Sequence, residues 1–350
     1  MKNGKYCIGI VGTGGIATST HIPGWKKLKD VEIIAACDLS EKARERVKKE
    51  FNIPMIFSDY TELVKVEEID IVDICAPNAL HYPVTISALK NGKHVICEKP
   101  LAIKAQEVEE MIKASKTYKK KLMCAQHQRF RPESEIVKKI IDDGKFGEIY
   151  FSNIYAVRRR FLPPAPTFIK KELSGGGPLF DIGVHILDLT YWLMGSPLVE
   201  SVYGLTFTKF GKNKNIANLW GQWDRKMFDV EDFAAGFVKF SDGRGLNLTC
   251  SWISNIENPE DFSAQLYGTK SGIHWPKLKI FTEENKILKD IELKVDIQNA
   301  EHPHHKEIRL FLESVKNNEG VPVKPEETYE VTKILEGIYK SAEKKKEITF

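Results

Sequence analysis

Short apolar runs that alternate with charged stretches constrain the first third of this sequence more than any other feature. Tyr6–Val11, Val31–Cys37, Ile69–Ala76, His94–Cys97 and Lys121–Ala125 are rich in Ile, Val, Cys and Ala and almost continuously apolar. Strands buried on both faces read this way, as in a parallel sheet. Between them, Ser40–Phe51 and Lys104–Tyr118 set charges at helical spacing around one apolar stripe. Ser40 and Asn78 stand where helix N-caps belong. This alternation predicts an open, doubly wound parallel sheet. Past residue 126 the rhythm changes, and Gly147 to Glu292 reads mostly as strand, with a hairpin of Val230–Phe240 and Gly245–Ile253. Helices are predicted at Asp181–Met194, His304–Lys316 and Glu326–Lys345. The second domain is therefore expected to be α+β on a large, mainly antiparallel open sheet. The expected boundaries are 1–126 and 127–350.

The 350 residues leave room for two such domains without a disulfide or metal staple. With Lys+Arg 52 against Asp+Glu 48, the net charge of +4 comes from mixed signs, which argues against a nucleic-acid partner. No apolar run approaches the roughly 18 residues of a membrane span. The opening MKNGKYCIGIVGTGG is basic and then apolar, but its glycines interrupt it too early for a secretory signal. It reads as a first strand. Cys7, Cys37, Cys75, Cys97, Cys124 and Cys250 show no CxxC spacing and fit small buried hydrophobes in a cytoplasmic protein.

The run Tyr6 to Ala17 is strand, glycine turn and helix start. Gly12 suits the tight turn, Gly14 lets backbone approach a pyrophosphate, and small Ala17 permits close helix–strand packing. The helix N-terminus adds unpaired N–H groups and partial positive charge. The second strand ends at Asp38, about twenty residues after the glycines, where a carboxylate accepts from both ribose hydroxyls and repels a 2′-phosphate. Dinucleotide binding follows, with NAD favoured over NADP; Arg44 is the residue that would favour a phosphate.

Three further stretches complete a pattern. These are Ala76-Pro77-Asn78-Ala79-Leu80-His81, Glu98-Lys99-Pro100, and Gly175 through Asp181, Gly183 and His185 to Asp188. Together with the glycine loop they resemble the glucose–fructose oxidoreductase / inositol dehydrogenase / rhizopine-catabolism (Gfo/Idh/MocA) family, along essentially the whole chain. The resemblance implies a Rossmann domain followed by an α/β domain whose sheet builds homodimers or homotetramers. It implies a sugar or polyol substrate oxidised or reduced at a carbinol carbon. It also implies cofactor contacts from Gly12, Thr13, Gly14, Gly15, Ile16, Asp38, Ala76, Pro77, Asn78, His81, Glu98, Lys99 and Gln128. Lys99, Asp181 and His185 would surround the reacting carbon as catalytic residues.

The residues make chemical sense of that pattern. Lys99 ends a parallel strand, where open α/β sheets place ligands, and Pro100 restricts its backbone. The Lys99–Pro100 peptide is expected to be cis. Asp181 and His185, four apart, share a helix face. Histidine titrates close to working pH and suits the hydroxyl proton, while Lys99 stabilises a developing alkoxide. The alternative assignment gives Lys99 the proton and leaves His185 to position substrate. Arg129 and Arg160 are candidate substrate contacts, and Asp188 a structural partner. Trp220, Trp223, Trp252 and Trp275 are either sugar-stacking or core and interface aromatics. His302, His304 and His305 read as exposed residues leading into a helix, and no metal is expected. Two rival functions remain: a redox-neutral enzyme that retains NAD, and a non-catalytic NAD- and sugar-binding regulator.

Overall fold

The computed structural model describes residues 4–295, 297 and 299–350, so Met1–Asn3 at the start of the opening run lie outside it. The chain divides into two compact units, one formed by residues up to His127 with Glu301–Tyr329, the other by Gln128–Ala300 with Glu330–Phe350. The first unit's opening stretch ends at His127, and Glu301–Tyr329 clusters with it although it lies in the span expected for the second domain.

In the first unit, β1 (Tyr6–Val11), β2 (Val31–Cys37), β3 (Met55–Phe57), β4 (Ile71–Ile74), β5 (His94–Glu98) and β6 (Leu122–Ala125) form one sheet. All its pairs are parallel, and its order is β3-β2-β1-β4-β5-β6. That order reverses between β1 and β4, the switch point where open α/β sheets bind ligands. The helix Glu41–Phe51 starts where the Ser40 side chain accepts from Ala43 N and stops at left-handed Asn52. In the helix Asn78–Lys90 the capping position falls on Pro77, so Asn78 is its first helical residue rather than its cap. The late helix Pro303–Lys316 packs on the residues after the glycine loop and on β5 and β6, burying Ile308, Phe311 and Leu312. Its apolar stripe thus finds partners in the first unit, far away in sequence order.

In the second unit, nine strands run β14-β13-β12-β11-β7-β10-β9-β8-β15. They are β7 (Ile149–Arg158), β8 (Val199–Phe207), β9 (Phe233–Phe240), β10 (Gly245–Ser251), β11 (Glu260–Gly268), β12 (Ser271–Trp275), β13 (Lys279–Glu284), β14 (Ile287–Glu292) and β15 (Ile348–Thr349). Every pair is antiparallel except β7 with β10. A π-helical turn, Leu179–Gly183, runs into the helix Val184–Leu193, which packs on β7 and β11. Along β8 the apolar residues alternate, with Val202 buried and Tyr203, Leu205 and Phe207 exposed. One face of this sheet is thus covered, while the other keeps large apolar side chains in solvent. No helix among the described residues is long and apolar enough to cross a membrane. All six cysteines are buried thiols.

His94 shows how β5 and β6 are held in register. Its Nδ1 accepts the Lys121 backbone N–H at 3.0 Å, which only the neutral tautomer allows. Burial, helped by Lys120 and Lys121, pushes its pKa down to about 4. The unfolded chain protonates this imidazole near pH 6.5, so stability falls as pH drops from 6.5 towards 4, by roughly 1 kcal/mol per pH unit. Urea midpoints for wild type and His94→Asn across that range check this; the variant should show a shallower decline.

Candidate functional site

The glycine turn is shaped by what lies behind it. Gly12 has φ +88°, and a Cβ there would sit 2.5 Å from Cys75 O and 2.6 Å from Ala76 N. The turn after β1 therefore lies against the turn after β4, and no side chain fits between them. A Cβ at Gly14 or Gly15 would meet nothing within 4 Å. Backbone there faces open space, as a pyrophosphate requires. Thr13 turns inward, its N and Oγ1 donating to Asp38 Oδ2 at 2.8 and 2.9 Å. Ser40 N donates to Asp38 Oδ1 at 2.9 Å. These bonds fix the carboxylate at the end of β2. Arg44 donates to the backbone oxygens of Asp38 and Leu39, so its guanidinium is engaged beside the carboxylate. A cradle of bare backbone next to a fixed carboxylate fits NAD.

The ends of β4 and β5 are joined by His81. Its fully buried ring spans Pro100 O (2.6 Å from Nδ1) and Ala76 O (2.8 Å from Nε2), and burial lowers its pKa. The expected cofactor contact from this side chain is therefore replaced by a positioning role, because it has no surface to offer. The Lys99–Pro100 peptide is cis, as expected. Lys99 is half-buried, and its backbone N donates to Glu98 Oε2 at 3.1 Å. The Glu98 side chain points into the unit rather than outward. Ile16, Ala76, Pro77 and Asn78 are partly exposed around this region.

In the second unit Asp181 lies in the π-helical turn and His185 one turn later, both half-buried. Trp252 donates its Nε1–H to Asp181 Oδ2 at 2.9 Å, which settles that tryptophan as a buried orienting group. The loop before the turn is pinned by buried Glu231. Its carboxylate accepts from Gly177 N (2.9 Å), Leu179 N (3.2 Å) and Tyr339 Oη (2.7 Å), and burial raises its pKa. A Cβ on Gly176 would lie 2.0 Å from Tyr339 Oη, and one on Gly177 2.1 Å from Glu231 O. The glycines of this loop are thus required by a close approach. No local motif marks Glu231.

Arg129 departs from expectation. Only 2% of its side chain is exposed, and its Nε and Nη2 both donate to Asp188 at 2.7 Å. The pair is a buried structural fork, so the substrate contact expected of Arg129 does not hold, whereas the structural role expected of Asp188 does. Gln128 is largely buried, with Oε1 accepting from Arg131 at 3.4 Å. Arg160 is half-buried, and its guanidinium donates to Arg159 O, Ser254 O and Asn255 Oδ1. Trp223 and Trp275 are core residues, while Trp220 is exposed beneath the Arg158 guanidinium.

The histidine cluster also needs correction. His302 is exposed, but the His304 ring stacks on His127 at 3.8 Å, and burial with His127 pushes its pKa down to about 2. His305 is partly buried, with Nδ1 3.0 Å from Lys27 Nζ. Among the described residues, His21, Asp73 and Cys75 lie close enough to share a metal ion. They already hydrogen-bond to one another, and burial raises the Cys75 thiol to about 12.

A family model described as "Oxidoreductase family, NAD-binding Rossmann fold" matches residues 7–126, and "GFO/IDH/MocA C-terminal domain" matches residues 135–274. The D-glucoside 3-dehydrogenase of Escherichia coli (strain K12) is 30% identical over 343 residues, which cover 98% of this chain and 97% of that protein. The myo-inositol 2-dehydrogenase of Thermotoga maritima is 23% identical over 334 residues, 91% of each chain. A solved levoglucosan dehydrogenase complexed with NADH shares the fold, with a TM-score of 0.81 at 20% identity over 99% of both chains.

Removing one member of the Arg129–Asp188 fork strands a buried charge. Asp188→Ala should cost about 3–5 kcal/mol in chemical denaturation. Replacing both residues by Met and Leu should recover most of that loss.

Proposed function

Because the chain belongs to the Gfo/Idh/MocA family of NAD-dependent oxidoreductases, we propose that it moves a hydride between nicotinamide and a carbinol or carbonyl carbon of a sugar, sugar derivative or cyclic polyol. The observation that carries this reading is the Asp181–His185 pair on one turn, its carboxylate oriented by Trp252 and its loop pinned by Glu231. The relatedness to a D-glucoside 3-dehydrogenase along nearly the whole chain favours glucosides as first substrates.

Bound NAD would supply the hydride acceptor or donor. Gly12–Ile16 would hold its phosphates and Asp38 its adenosine ribose, which favours NAD over NADP. In the oxidative direction His185 takes the substrate hydroxyl proton; its Nδ1 is buried, so Nε2 is the nitrogen a hydroxyl reaches. Asp181 orients the hydroxyl and the imidazole. The Lys99 ammonium stabilises negative charge growing on the oxygen. In reduction the proton returns from His185 to that oxygen.

The exposed apolar face of the second sheet, with Tyr203, Leu205 and Phe237 each more than 40% exposed, favours a homodimer or homotetramer through that face. Light scattering should give a multiple of the chain mass. Leu205→Glu with Phe237→Glu should lower it; an unchanged mass would exclude this surface.

A panel of sugars and polyols, offered with NAD(H) and NADP(H) in both directions and followed by nicotinamide absorbance, tests the activity. NAD should be preferred, and Asp38→Ala should weaken that preference by about tenfold or more. His185→Ala should lower kcat by about 100-fold or more and remove the acidic limb of the pH–rate profile. Full activity of His185→Ala at every pH would overturn the assignment. Product formed without net absorbance change would replace it with the redox-neutral reading.

A further inference from the structure

The turn that follows the glycine loop ends in His21, at the close of a π-helical stretch Ala17–His21. The imidazole is fully buried. Nδ1 lies 2.9 Å from Asp73 Oδ2, at β4, and Nε2 lies 2.8 Å from Glu98 Oε1, at the end of β5. Both ring nitrogens face carboxyl oxygens, so with both carboxyls ionised each nitrogen carries hydrogen and the ring is an imidazolium. Burial opposes that charge, but Asp73 and Cys75 outweigh it, and the His21 pKa is raised well above its ordinary value. Burial likewise opposes ionised Glu98, yet His21, with help from Lys99, brings its pKa down to about 2.

The surrounding groups serve the same arrangement. Trp25 Nε1 donates to Asp73 Oδ2 at 2.7 Å, and the Cys75 thiol reaches Asp73 Oδ1 at 3.6 Å. From the helix Pro303–Lys316, neutral His304 meets the His21 ring edge-on at 6.3 Å, itself backed by His127. The remaining Glu98 oxygen, Oε2, accepts the Lys99 backbone N–H. One buried cation therefore ties the segment after the phosphate loop to two strand ends, one of which carries Lys99.

We propose that His21 is a positioning residue for the reaction, an imidazolium that keeps Glu98 ionised and thereby holds the Glu98–Lys99 turn in place relative to the glycine loop. This rests on the dehydrogenase reading above, in which Lys99 acts on substrate oxygen. Removal of the cation leaves two buried carboxylates facing each other, and one of them must then take up a proton. His21→Gln makes this visible. Its amide N–H serves one carboxylate while its oxygen faces the other, which fits only if that carboxyl is protonated.

The test has two arms on the full-length protein. In the first, nitrogen NMR of histidine-labelled wild type, with His21→Gln identifying the signal, should show both His21 nitrogens protonated at pH 8. A neutral ring at that pH overturns the proposal, whatever substrate the enzyme takes. In the second, kcat of His21→Gln should fall by about 100-fold at pH 8, the cost of an ångström of misplacement at a reacting group. The deficit relative to wild type should shrink as pH is lowered, and the added Glu98→Gln change, which supplies a neutral donor, should restore activity at all pH values. An equal loss at every pH without rescue marks His21 as merely structural and overturns the proposal. A wild type that reduces no cofactor with any substrate defeats the dehydrogenase reading instead, and the NMR arm separates the two failures.

Discussion

The contact of the first glycine turn with the backbone of the next parallel strand is the constraint from which the first unit follows. Gly12 touches Cys75 and Ala76 with no room for even a methyl group between them. This approach sets the turn after β1 beside the turn after β4, at the point where the sheet order reverses. Once it is made, Thr13 falls within reach of Asp38, and the open backbone of Gly14 and Gly15 is left facing outward. The binding surface for NAD is thus a consequence of one steric requirement met at the strand ends.

The second unit meets a comparable demand with buried polar groups. A helix that presents a carboxylate and an imidazole needs a fixed start, and its start here is a glycine loop without a side-chain cap. Glu231 takes over that role from a distant strand junction by accepting two loop N–H groups and the Tyr339 hydroxyl. The desolvation of Glu231 is partly offset by these three donors, as buried carboxyl groups require. Asp188, one turn past His185 on the same helix, is satisfied by the fork of Arg129.

Local pattern made much of this legible and long-range pairing hid the rest. The near-continuous apolar runs locate β1 and β2 to the residue, because parallel strands buried on both faces leave no polar alternation to confuse them. β3 escaped, since three half-buried edge residues carry no periodic signal. Gly12 and Asp38 stand out through spacing, whereas Lys99, Asp181 and His185 stand out only through the resemblance of their stretches to a known family. Arg129 misled because an arginine after a strand looks the same whether it meets a ligand or a buried carboxylate 59 residues away. His21 was invisible for the same reason: its partners lie 52 and 77 residues on, and nothing beside it in the chain announces them. Likewise, the apolar stripe of Pro303–Lys316 says that the helix packs, but not that it packs on the first unit.

Hydride transfer to the nicotinamide can be read directly from an isotope. A D-glucoside deuterated at its ring carbons is incubated with the protein and NAD, and the recovered reduced cofactor is weighed by mass spectrometry. Direct transfer from a carbinol carbon predicts reduced nicotinamide heavier by one deuterium, with the label lost when His185 is replaced by Ala. Substrate oxidised while the cofactor gains no deuterium would contradict it.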